Sequence, residues 1–160
     1  MHGPKPNGPM NLQQTLIEFE RDGAGLRLPF YLYLQAMYHD TVQQTEAGLE
    51  TVEHAFAAAD RHDEVWWNAE LYRLRGQLLE RQGTDDVEVE RVYQQAIDLA
   101  HEQAALALEL RATVSLARLW QRQGRIAEAH AKLAAVYARF TEGFDTPDLQ
   151  EARALLADLA

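Results

Sequence analysis

The sequence predicts an all-α fold, a solenoid of stacked helical hairpins, on three observations. Good helix formers (alanine, leucine, glutamate, glutamine and arginine) dominate from residue 11 onward. Apolar residues recur at steps of three and four, as at Ala129, Leu133, Val136, Tyr137 and Phe140, and no useful stretch alternates with the period of two that a strand needs. Side-chain sizes also repeat at a fixed long interval, the signature of a repeat array.

The repeat is read from five sets of positions. Gly83 and Gly124 lie 41 residues apart, with Gln43 at 40 before them, and Ala36, Gly76 and Ala117 keep the same interval. So do Gly48, Val89 and Ala129; Val52, Tyr93 and Leu133; and Ala55, Ala96 and Val136. A small residue in the middle of a first helix lets a neighbour approach closely, and a glycine after it ends the helix in a left-handed turn. The second helix presents small, bulky, small at steps of four and three.

The elements follow in order. MHGPKPNGPM, residues 1–10, is rich in Gly and Pro and reads as a flexible arm or an expression scar. Residues 11–160 form one helical-repeat domain. NLQQTLIEFERDG, 11–23, reads as a leading half-repeat, the second helix of a hairpin whose first is absent, leaving an apolar flank for an upstream repeat or for self-association. Three hairpins are expected at about 27–62, 64–103 and 105–142, and a capping helix at 147–159. In FTEGFDTPDL, Gly143 closes a helix, Thr146 caps the next, and Pro147 and Asp148 occupy its first turn. Leu149, Ala152, Leu156 and Leu159 then seal the array.

Small and large residues in this register resemble tetratricopeptide repeats, best in the third unit at Leu116, Ala117, Trp120, Gly124, Ala129 and Leu133. The interval is longer than the family's 34 residues, the usual proline at the unit's end is missing, and His39 and Gln43 depart from the pattern. A HEAT-like array is the fallback. DEVWWNAELYRLRGQLL, ELRATVSLARLWQRQGRIAEAH and VYARFTEGFDTPDLQEARALL resemble the C-terminal helical-repeat region of multidomain bacterial signalling proteins. Those join an adenylate/guanylate cyclase-like or LuxR-type regulatory domain to an AAA-like ATPase domain. The resemblance implies a fragment or stand-alone relative without the ATPase, and no Walker-type GxxxxGK[ST] occurs in the chain.

Composition narrows the function. The chain has no cysteine, which excludes thiol catalysis and thiolate metal sites. A net charge of -10 repels a phosphate backbone, so nucleic acid is not expected as a partner. No apolar run reaches a membrane span, and a cytoplasmic location is expected. The six histidines, among them His54 and His62, show no metal-ligand spacing, and TDDVEVE lacks the glycine and ligand ladder of a calcium loop. No cofactor is expected. Ser115, the one serine, sits between apolar residues without a nucleophile turn, so no enzymatic activity is expected of this chain. Of Trp66 and Trp67, adjacent on a helix, one is expected in the core and the other partly exposed.

What remains is a groove. The tetratricopeptide resemblance places the groove-facing positions at Tyr33, Met37 and Asp40; at Glu70, Arg73, Gln77 and Arg81; and at Arg111, Arg118, Gln121 and Arg122. Five of these are arginines, whose planar forks hold carboxylates bidentately. The expected role is therefore protein–protein interaction and regulation, with an acidic peptide, an acidic protein surface or another domain of the parent as partner. A homo-oligomeric scaffold and a small-molecule effector sensor are the alternatives.

Overall fold

Residues 27–160 are described by the structure, a computed structural model of the protein; the expected arm and leading helix fall in residues 1–26 and lie outside the described residues. The described residues form seven α-helices, one short 3-10 turn and no strand. They are α1 (Leu28–Thr41), α2 (Thr45–His62), α3 (Asn68–Gln82), α4 (Asp86–Glu102), α5 (Leu106–Arg122), α6 (Ile126–Tyr137) and α7 (Pro147–Asp158), with the 3-10 turn at Val65–Trp67 before α3.

The long sequence interval is written into the backbone. Gln43, Gly83 and Gly124 follow α1, α3 and α5 with φ of 60°, 81° and 76°. Gln43 thus makes with a side chain the left-handed turn that its counterparts make with glycine. Asp63 and Ala104, after α2 and α4, share a second left-handed turn at 54° and 53°. Among the described helices only α4 has a side-chain cap, where Asp85 accepts from the Val87 amide at 2.8 Å. At α7, Thr146 stands in the cap position, but its hydroxyl donates to the Gly143 carbonyl instead. Gly143 lies in the turn before α7, not at the end of α6.

Each helix packs against the next in the chain, and α1 also touches α3, α3 touches α5 and α5 touches α7. The repeating small and bulky positions are the core: Ala36, Ala117, Val52, Tyr93, Leu133, Ala55, Ala96, Val89, Ala129 and Val136 are all buried. Gly76 shows why size matters there, since a Cβ on it would lie 2.5 Å from Tyr93 Cε1. The α4 ring sits directly on the α3 backbone. On α7 the buried stripe is Leu149, Ala152, Leu155 and Leu159, with Leu156 only partly covered. Trp67 packs edge-on against Phe30 and Tyr33, whereas Trp66 is 50% exposed. No helix among the described residues is long and apolar enough to cross a membrane.

Candidate functional site

The alternate helices α1, α3, α5 and α7 share one recess of about 400 Å³. Seven residues singled out from the sequence line it: Tyr33 and Met37 from α1, Glu70, Arg73 and Gln77 from α3, and Arg111 and Arg118 from α5. The other two arginines, Arg81 and Arg122, line an adjoining recess of about 200 Å³ that shares Gln77 and Arg118. The helical step explains the grouping: Glu70, Arg73 and Gln77 follow one another at three and four, as do Arg111, Arg118 and Arg122 at seven and four.

Glu70 is the hub. It is only 1% exposed, yet it is a carboxylate, and its burial is offset by donors on three helices. Its Oε1 accepts from the Tyr33 hydroxyl at 2.9 Å and from Arg73 Nη2 at 2.6 Å, with Arg111 Nη1 at 3.6 Å. Its Oε2 is buried and accepts no hydrogen bond among the described residues. Burial, reinforced by the Glu70 charge, pushes the Tyr33 hydroxyl up to about 12. Burial alone acts against the charge on Arg73, but the hydrogen bond and charge of Glu70 outweigh it and hold the guanidinium well above its ordinary range.

The remaining arginines are also paired, and mostly between helices. Arg81 of α3 meets Asp40 of α1 at 2.7 Å, and one unit on Arg122 of α5 meets Glu80 of α3. Asp40 and Glu80 are 40 residues apart and Arg81 and Arg122 are 41 apart, so the repeat carries its own ladder of ion pairs. From α7, Asp148 takes Arg111 at 2.8 Å and Glu151 takes Arg118 at 2.7 Å. The sequence places the arginines but not these acids. Asp148 reads as a residue for the helix dipole, and Glu151 carries no signal, because their pairing depends on how α7 crosses α5. Leu110 and Val114 add an apolar strip to the same wall, and Ser115, another lining residue, donates its hydroxyl to the Arg111 carbonyl. Arg118 and Arg122 are half exposed in these pairs, so each is worth about 0–1 kcal/mol.

A second region lies across the molecule's loops, where Asp63, Val65, Trp66, Gln103 and Ala105 border a shallow recess. It gathers none of the positions expected to face the groove. Among the described residues no group of three or more His, Asp or Glu is placed to hold a metal ion.

No family model matches the chain. An uncharacterized protein of Rhizobium meliloti (strain 1021) is 30% identical to it over 113 residues. That match covers 71% of this chain and 11% of the relative, so the chain spans about a tenth of the length of the curated protein it resembles.

Proposed function

We propose that the chain is a protein-interaction module of tetratricopeptide-like hairpins, α1–α2, α3–α4 and α5–α6 with α7 as cap, which binds a partner segment along the recess of the alternate helices. The observation that carries this is the convergence of Tyr33, Met37, Gln77, Arg111 and Arg118 from three helices on one recess, beside the apolar Leu110 and Val114. The similarity to a small part of a much longer protein fits a module that acts inside, or upon, a larger chain. In this reading the chain does no chemistry of its own; it holds a regulatory domain or peptide and releases it.

The ion pairs define the mode of binding. An acidic segment has to exchange with Asp148, Glu151 and Glu80 for the half-exposed guanidiniums of Arg111, Arg118 and Arg122. Such an exchange replaces one weak pair by another, so net affinity comes from apolar contact with Met37, Leu110 and Val114 and from fixed positioning. Arg73 is unsuitable for testing this, because its guanidinium is buried against Glu70.

The test is fluorescence anisotropy with a labelled peptide rich in Glu and Tyr, against a Lys-rich control. The acidic peptide is expected to bind and to lose about tenfold or more in affinity when Arg118→Glu and Arg122→Glu are combined. Circular dichroism of the double variant should match the parent. Equal affinity in parent and variant, or no binding of the acidic peptide by the parent, overturns the groove.

A further inference from the structure

Leu34 and Tyr38 lie one turn apart on α1 and are 44% and 45% exposed. Their counterparts in the next unit, Leu74 and Leu78 of α3, are 1% and 0% exposed. One unit further on, Ser115 and Leu119 of α5 are also buried. The difference lies in what precedes each helix. The second helix of the preceding hairpin packs on α3 and on α5, α2 in one case and α4 in the other. The contact is specific: a Cβ on Gly48 of α2 would stand 2.9 Å from Leu78 Cδ2. The small residue that opens the second-helix pattern is the socket for a knob thirty positions later.

Moving thirty positions back from Tyr38 leads to Gly8. The rest of the second-helix pattern follows there. Gly8, Leu12 and Thr15 are small, bulky and small at steps of four and three, one interval of 40 before Gly48, Val52 and Ala55. Phe19 holds the place of Ala59. Twenty-six residues precede Arg27, and the chain enters α1 with the Arg27 amide bound to the Glu64 carboxylate at 2.8 and 2.9 Å, beside the junction of α2 and α3.

We propose that the exposed stripe of α1 is the seat of the chain's own residues 8–19, docked so that Gly8 receives Tyr38 as Gly48 receives Leu78. Covering the stripe removes two large apolar side chains from water, each worth about 1.5–3 kcal/mol when fully buried. The inference rests on the repeat interval and not on what the recess binds, so each can fail without the other.

Because the chain has no cysteine, a designed pair reports the register directly. Gly8→Cys with Tyr38→Cys in the full chain, under mild oxidation, is expected to close within one chain and to lose thiol labelling in the mass spectrum. Gly48→Cys with Leu78→Cys serves as the positive control, and Gln14→Cys with Tyr38→Cys as the out-of-register pair. Circular dichroism shows whether each variant has folded. If a folded Gly8/Tyr38 variant keeps both thiols while the control closes, the docking is wrong. A disulfide between two chains gives the seat to a second copy and equally overturns the proposal. Closure of both test pairs at the same rate overturns the register.

Discussion

At the scale of single residues, two glycines of one helix region do different physical jobs, and substitution separates them. Gly83 has φ of 81° and open space where a Cβ would stand, so Gly83→Ala meets only the backbone cost of the left-handed region, about 1–2 kcal/mol. Gly76 is helical, and a Cβ there meets the Tyr93 ring at 2.5 Å. Gly76→Ala gains helix propensity yet forces Tyr93 off its seat and loosens its 2.5 Å hydrogen bond to Glu80. The expected net loss is about 2–3 kcal/mol, larger than for Gly83→Ala. Urea midpoints of the two variants check the order, and the reverse order would mean that α3 and α4 can move apart freely. Both glycines are legible in the sequence, because a small residue kept at a long interval marks a place where the backbone turns left-handed or a neighbouring helix comes close. Gln43 is not legible as a turn, since nothing in a glutamine announces φ of 60°.

Between elements, the polar junction of α1, α3 and α5 is where titration acts. Tyr33 on α1 donates to Glu70 on α3, and its hydroxyl is pushed up to about 12 from the ordinary 10 by burial and by that carboxylate. A folded value above the unfolded one means that the fold favours the protonated phenol. The contribution is complete below pH 10 and is lost as pH rises through 10 toward 12. Tyr93, buried against Glu80, is shifted the same way and adds to the loss. Chemical denaturation between pH 8 and pH 12 should therefore show stability falling by roughly 2 kcal/mol or more above pH 10. In Tyr33→Phe that fall should be smaller, and an unchanged fall in this variant would remove Tyr33 as its source. The sequence reaches only halfway to this junction. It places Tyr33, Glu70 and Arg73 on one face, but the burial of Glu70 depends on three helices closing over it, and no local pattern encodes that closure.

For the molecule as a whole, helical period and repeat interval make the all-helical class and the core positions legible, while the partners of the arginines depend on the helices' mutual placement. The core itself is uneven. One large buried cluster runs through α4, α5, α6 and α7, and a smaller one joins α1, α2 and α3. Units that touch mainly their neighbours unfold with partly independent free energies. Native-state hydrogen exchange should find the slowest amides in α4 and α5, around Tyr93 and Leu116, and earlier opening in α1. A single shared exchange rate for all helices would contradict this picture. The same nearest-neighbour packing leaves the molecule without an intrinsic length. A duplicate of residues 64–104 spliced in after residue 104 would meet, on each side, surfaces already shaped to receive it. Growth by whole units is open to such a chain, and growth by any other increment breaks the fit.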